Sequence, residues 1–96
     1  MIEQSLPRTT ALVTGASRGI GAAIAFQLAE RGLRLILVAR GQDSLDQLAA
    51  SLPEAAAVDT LTVDLSESDG AFRLLQLVND REIDILINNA GGAPNQ

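Results

Sequence analysis

A segment near the amino terminus has glycines at a spacing that can bind a phosphate group. It reads Thr-Gly-Ala-Ser-Arg-Gly-Ile-Gly over residues 14–21 and follows the apolar run of residues 11–13. A strand that passes through such a loop into a helix presents free N–H groups, aided by the helix dipole, to an anion. Gly15 would permit the sharp exit from the strand, Gly19 the approach of a phosphate, and Gly21 close packing of the helix. The alternative is a turn in which the glycines serve geometry alone.

Two further polar segments follow apolar runs later in the chain. Asp64 and Leu65 follow residues 61–63, and Asn-Asn-Ala-Gly at residues 88–91 follows residues 83–87. Taken alone, Asp64 is equally consistent with an acidic residue at a helix N-terminus. The Asn-Asn-Ala-Gly segment alone is consistent with a simple turn, because Asn and Gly both tolerate positive φ. All three polar segments stand at the ends of predicted strands, which favours a common ligand site.

Short apolar runs alternate with longer amphipathic segments, which predicts an α/β protein. Helices of about 10–15 residues between strands imply parallel pairing with right-handed crossovers. We therefore expect a β-α-β-α-β-α-β unit, a partial Rossmann doubly wound parallel sheet with strand order 3-2-1-4 and a ligand crevice at the carboxyl ends of the strands. The strands are predicted at residues 9–14, 33–39, 61–63 and 83–87.

The predicted helices have recognisable start and stop residues. The first covers residues 19–31 and stops at Gly32. Asp43 or Ser44 can cap the second, and Pro53 ends it. A Ser-x-x-Asp capping box at residues 66–69 opens the third. The apolar face of the third helix is predicted to include Phe72, Leu75 and Val78.

The composition argues against several functions. Seven arginines, no lysine and twelve acidic residues give a net charge of −5, so nucleic acid is not an expected partner. The chain has no cysteine and no histidine, which argues against a disulfide framework, a thiolate nucleophile and a metal site. No segment resembles a signal peptide or approaches the roughly 20 apolar residues of a membrane span. We expect a cytoplasmic protein without membrane contact.

The glycine spacing is G-x-x-x-G-x-G, which differs from the common dinucleotide fingerprint G-x-G-x-x-G. Together with Thr14, Asp64-Leu65 and the segment 88–91, it resembles the amino-terminal cofactor-binding part of the short-chain dehydrogenase/reductase family. The resemblance covers essentially the whole chain. It implies that residues 1–96 form a single, incomplete NAD(P)-binding domain of an oxidoreductase that transfers hydride between an alcohol and a carbonyl group.

The resemblance also implies residue roles. Asp64 would contact the adenine amino group, and Asn88 would tether neighbouring strands. Residues 89–91 would line the ribose on the nicotinamide side. The cofactor-binding residues implied in this way are Gly15, Ser17, Arg18, Gly19, Ile20, Gly21, Arg40, Asp64, Leu65, Asn89, Ala90 and Gly91.

The end of the second strand indicates which dinucleotide binds. Ala39 stands where an NAD-preferring relative would carry Asp, and Arg40 follows it. An acidic residue there would bind the ribose 2′-hydroxyl and repel a 2′-phosphate, whereas guanidinium groups match phosphate. Arg18 supplies a second cation, although both arginines could be ordinary surface charges. We expect NADP(H) to be preferred over NAD(H).

No catalytic residue is predicted in this chain. The family resemblance would require a Tyr-x-x-x-Lys motif for proton transfer, and the chain contains neither Tyr nor Lys. General acid–base help of this kind is typically worth about 10²–10⁴-fold. Two hypotheses follow: the dinucleotide-binding part of a longer enzyme with a small carbonyl or alcohol substrate, or a truncated, non-catalytic nucleotide-binding or interaction module. The exposed fourth strand would be covered by a carboxyl-terminal half or a homo-oligomer.

Overall fold

Strands and helices alternate along the chain in the computed structural model, which describes residues 9–17, 19–54 and 56–89. The strands are β1 (Thr10–Thr14), β2 (Arg34–Ala39), β3 (Val58–Thr62) and β4 (Ile85–Asn88), and the helices are α1 (Gly19–Glu30), α2 (Gln42–Ser51) and α3 (Gly70–Val78). The strands pair in parallel in the order β3-β2-β1-β4. The predicted fold class and strand order are confirmed.

The two central strands, β1 and β2, are apolar on both faces of the sheet because helices cover both faces. All of β1 is buried, as are the last five residues of β2. Near-continuous apolar strands are what a parallel sheet covered on both sides requires. One face packs under α1 and α2 through Ala11, Val13, Leu35, Leu37, Ala25, Leu45 and Leu48. The other face forms a cluster of Leu12, Ile36, Val38, Val63 and Val78.

The predicted start of β3 is wrong by three residues, since the strand begins at Val58 and not at Leu61. The polar residue Asp59 obscures the strand in the sequence. Because β3 lies at the edge of the sheet, the exposed Asp59 side chain can reach Arg81, with 2.9 Å between Oδ2 and the guanidinium. Edge strands tolerate charged side chains that a central strand would not.

The predicted caps of α2 and α3 are wrong, whereas Gly32 follows the end of α1 as predicted, with φ 88°. The N-cap of α2 is Gly41, and Asp43 and Ser44 both lie inside the helix. The N-cap of α3 is Asp69, with no side-chain cap bond. The serine of the predicted capping box at residues 66–69 instead bonds an upstream carboxylate, as described below.

The predicted apolar face of α3 is only partly correct. Val78 is buried, but Phe72 and Leu75 are 62% and 63% exposed. Leu74 of the same helix, which is partly buried, also packs against the apolar cluster on this face of the sheet. Leu86 of the edge strand β4 is also 64% exposed. Leu86 pairs with Leu12, so it lies on the sheet face that carries α3. Helix α3 therefore leaves this edge of the sheet uncovered within the described residues.

Among the described residues, no helix has the length and apolar character to cross a membrane.

Candidate functional site

The loop between β1 and α1 requires glycine at two positions. Gly15 has φ 61° and Gly19 has φ 62°, in the left-handed region that side chains disfavour. A Cβ added at Gly19 would meet no heavy atom within 4 Å. The space beside the first turn of α1 is therefore open, next to N–H groups that have no partner inside the helix. N–H groups at the start of a helix can bind an anion such as a diphosphate.

Gly21 allows α1 to lie against the glycine loop. A Cβ at Gly21 would overlap the carbonyl oxygen of Gly15 and come within 2.9 Å of the Asn89 side-chain nitrogen. The sequence predicts close packing of the helix at this residue. The structure shows that the surface approached is the loop after β1, together with the residue that follows β4.

Hydrogen bonds connect the end of β1 to the end of β4. The Thr14 hydroxyl donates to Asn88 Oδ1 at 3.0 Å and accepts from the backbone N–H of Asn89 at 2.9 Å. Asn89 Nδ2 donates to the carbonyl oxygen of Gly15 at 3.3 Å. The predicted tethering role of Asn88 is confirmed. Asn89, predicted to line a ribose, has its side-chain nitrogen directed to the glycine loop.

Asp64 lies after β3 in a tight turn with Ser66. Its Oδ1 accepts hydrogen bonds from the Ser66 hydroxyl at 2.6 Å and from the Ser66 backbone N–H at 2.9 Å. These two bonds, the hydroxyl first, lower the pKa of Asp64. Partial desolvation opposes them, and the charges of Arg40 and Arg73 make smaller contributions that also lower the pKa. Asp64 is therefore a carboxylate at neutral pH, which accepts hydrogen bonds and can receive one from an amino group such as that of adenine.

Arg40 is exposed directly after β2, where the buried Ala39 ends the strand. Within the described part of the chain, no salt bridge involves Arg40. Its charge acts on Asp64 across the neighbouring strand ends. A cation that is not paired with a carboxylate is available for an anionic ligand.

The strand order determines how these residues are arranged. Because all strands are parallel, Gly15, Arg40, Asp64 and Asn89 follow the carboxyl ends of four strands at one edge of the sheet. Arg40 and Asp64 lie to one side of the glycine loop, and Asn89 lies to the other. An extended ligand could therefore lie across the sheet with a phosphate over β1.

The remaining predicted site residues fall into two groups. Ser17 is half-buried in the glycine loop, Ile20 is 69% exposed on the first turn of α1, and Leu65 packs against the apolar cluster on the α3 side. Arg18, Ala90 and Gly91 lie outside the described residues.

Sequence reasoning missed the contributions of Gly70 and Ser66. A Cβ at Gly70 would overlap the carbonyl oxygen of Asp64, so only glycine lets α3 begin this close to the turn. The turn itself is held by the Ser66 bonds to Asp64. The signal in the sequence is Asp-x-Ser, a spacing typical of an Asx-turn, followed by a glycine at the helix start.

The parallel sheet, the glycine loop and the polar strand ends together define a doubly wound, dinucleotide-binding type of α/β domain. The family model described as short chain dehydrogenase matches residues 9–96. This chain therefore belongs to the short-chain dehydrogenase/reductase family.

Individual relatives support the assignment. The very-long-chain 3-oxoacyl-CoA reductase of Mus musculus is 40% identical over 83 residues, which cover 84% of this chain and 27% of the relative. The Pseudomonas aeruginosa RhlG/NADP active-site complex has 41% identity and a TM-score of 0.80, covering 93% of this chain and 37% of that one. The Gluconobacter frateurii L-sorbose reductase complexed with NADPH and L-sorbose has 39% identity and a TM-score of 0.79. This match covers 88% of this chain and 34% of that one. The chain thus spans about a quarter of the length of the curated relatives it matches.

Proposed function

We propose that this chain is the dinucleotide-binding part of an NADP(H)-dependent oxidoreductase acting on an alcohol/carbonyl pair. The observation that carries the proposal is the glycine loop, in which Gly15 and Gly19 take positive φ and leave open space beside the start of α1. Family membership supports oxidoreductase chemistry, and the loop gives a dinucleotide a physical place to bind.

The arrangement of the strand ends supports a proposed position for each part of the dinucleotide. The diphosphate would lie at the first turn of α1. The adenosine would lie over β2 and β3, with Asp64 accepting a hydrogen bond from the adenine amino group. The nicotinamide end would lie beyond β4, near Asn89. When bound, the dinucleotide supplies or accepts the hydride, and the residues of this chain bind and orient it.

The preference for NADP(H) rests on Arg40. Ala39 carries no charge to repel a 2′-phosphate, and Arg40 is exposed and is not part of a salt bridge within the described residues. Guanidinium and phosphate form strong, charge-assisted hydrogen bonds. Arg18 would add a second cation from inside the glycine loop. The NADP and NADPH complexes among the solved relatives are consistent with this preference.

Proton transfer to or from the substrate oxygen requires a group that this chain does not contain, since it has neither Tyr nor Lys. In the enzyme reading, residues outside this sequence would supply that group. The second candidate function is a non-catalytic nucleotide-binding module. The complete lack of the expected proton-transfer residues favours it for the 96-residue chain on its own.

The test is a titration of the purified chain into NADPH and into NADH, followed by nicotinamide fluorescence. We expect tighter binding of NADPH. Equal affinity for the two cofactors would remove the role given to Arg40, and no binding of either would contradict the proposal as a whole. The mass of the natural polypeptide separates the two candidates. A protein near 10 kDa favours the module, and a much heavier one with a Tyr-x-x-x-Lys motif favours the enzyme.

A further inference from the structure

The Gln42 side chain bridges the first turn of α2 and the end of β3. Its Oε1 accepts a hydrogen bond from the Thr62 hydroxyl at 2.6 Å. Its Nε2 donates to Asp46 Oδ1 at 2.8 Å and to Thr60 Oγ1 at 3.3 Å. Because a carboxylate only accepts hydrogen bonds, Asp46 fixes the amide nitrogen on its own side and leaves Oε1 for Thr62.

This bridge joins the two segments that carry the adenosine-end residues of the proposed site. Gln42 lies two residues after Arg40, and Thr62 lies two residues before Asp64. Ala39 and Thr62 are already paired as neighbours of β2 and β3. The strand pairing at Ala39 and the side-chain bond at Gln42 therefore connect Thr62 to both ends of the short segment that contains Arg40.

The turn that carries Arg40 consists of two residues, Arg40 and Gly41, between the end of β2 and the start of α2. Its second residue, Gly41, is the N-cap of α2, with φ −115° and ψ 130°, and makes no side-chain cap bond. Glycine also has the greatest backbone freedom of any residue. Backbone bonds already flank Arg40, since Val63 N–H donates to the Ala39 carbonyl oxygen at 2.9 Å and Leu45 N–H to that of Gly41 at 3.3 Å. The Gln42 bond to the neighbouring strand adds a side-chain link that further restricts the position of Arg40.

We propose that Gln42 and Thr62 are positioning residues for cofactor preference. Their hydrogen bond holds the turn between β2 and α2 so that Arg40 faces the 2′-phosphate of an adenosine whose base lies at Asp64. The inference rests on the proposed NADP(H) function. Since the two residues act through Arg40, their loss should weaken the binding of NADPH and leave that of NADH nearly unchanged.

The experiment compares the NADPH and NADH dissociation constants of the full 96-residue chain and its variants. Thr62→Val keeps the side-chain shape and removes the donor, and Gln42→Ala removes the acceptor. We expect each to lower the affinity for NADPH about 3- to 10-fold, the range of one hydrogen bond. Thr62→Ser keeps the hydroxyl and should retain the parent preference. Thr60→Val is the matched control, because Asp46 still holds the Gln42 nitrogen.

A double-mutant cycle with Arg40→Ala distinguishes an effect that acts through Arg40 from a general effect on the fold. If Thr62 acts through Arg40, then Thr62→Val has no further effect on the NADPH/NADH ratio once Arg40 is absent. Equal weakening of both cofactors, or an unchanged ratio in both Thr62→Val and Gln42→Ala, would overturn the inference. Gln42 is exposed, so its variant remains informative if Thr62→Val does not fold. If the parent chain prefers NADH, the proposed NADP(H) preference itself is wrong. If the parent prefers NADPH but the variants do not change the ratio, only the positioning role of Gln42 and Thr62 is wrong.

Discussion

Asn89 donates its side-chain N–H to the carbonyl oxygen of Gly15 at 3.3 Å, across 74 residues of sequence. Gly21 lies against the same carbonyl from the first turn of α1. Asn89, which follows β4, and Gly21 of α1 therefore both approach the glycine loop at the Gly15 carbonyl. These contacts hold the loop in a shape in which Gly15 and Gly19 have positive φ, and a loop that is restrained in its binding shape lowers the cost of binding.

Replacing Asn89 should weaken both cofactors to a similar extent. Asn89→Ala removes the bond to Gly15, and a single hydrogen bond corresponds to roughly a 5-fold change in affinity. Asn89→Asp should be worse, because a carboxylate oxygen would face a carbonyl oxygen. Titration with NADPH and NADH measures the effect. An unchanged affinity in both variants would show that the loop holds its shape without Asn89.

A methyl group at Gly21 should destabilise the fold more than one at Gly41. Gly21→Ala would place its Cβ against the Gly15 carbonyl, and overpacking of this kind costs about 1–3 kcal/mol. At Gly41, φ is negative, and an added Cβ would lie 3.9 Å from the Ser44 hydroxyl oxygen. Gly41→Ala should therefore lower the free energy of unfolding by less than about 1 kcal/mol. Thermal unfolding of both variants checks the difference, and equal midpoints would contradict the packing described here.

Reversing the charge of Arg40 should reverse the cofactor preference. Arg40→Asp removes a charge-assisted bond of about 1.5–3 kcal/mol to the 2′-phosphate, so NADPH should bind roughly 10- to 100-fold more weakly. NADH should be little affected. Arg34→Asp is the control, since Arg34 is exposed at the opposite end of β2. If both substitutions weaken NADPH equally, the effect is general electrostatics and not a site at Arg40.

Stability should depend on the Asp64 carboxylate at acidic pH. Its pKa is lowered in the folded chain by the Ser66 hydrogen bonds, whereas an unfolded aspartate titrates near 3.9. The stabilisation is therefore present above about pH 4 and is lost as the pH falls through the lower, folded pKa. Thermal unfolding of the chain and of Asp64→Asn should give midpoints that converge as the pH falls below about 4. Ser66→Ala should reduce the pH dependence, and midpoints that differ equally at all pH values would contradict this assignment.

The sequence predicts most of the fold but few of the hydrogen bonds and close contacts that shape the site. Apolar runs at β1 and β2 identify central strands, and their alternation with helices predicts a parallel doubly wound sheet. The order 3-2-1-4 follows only when the Rossmann arrangement of such sheets is assumed. The start of β3 is missed because Asp59 interrupts the apolar pattern, and a charged residue there is tolerated only because β3 lies at the edge of the sheet, which the local sequence does not show. The start of α3 is missed because the Ser66 bonds depend on a turn and not on a helix cap.

The uncovered edge at β4 should make the chain associate in solution. Leu86 is exposed on an edge strand that is paired on one side only within the described residues. Unpaired strand edges with apolar side chains favour contacts with other chains. Leu86→Lys adds a charge of the kind that natural edge strands use against such pairing. Sedimentation over a range of concentrations should show less association for this variant than for the parent chain. Leu77→Lys is the control, because Leu77 is an exposed apolar residue on α3 and not on the strand edge. An equal decrease in both variants would indicate general solubility, and unchanged association in Leu86→Lys would show that the β4 edge is not the contact.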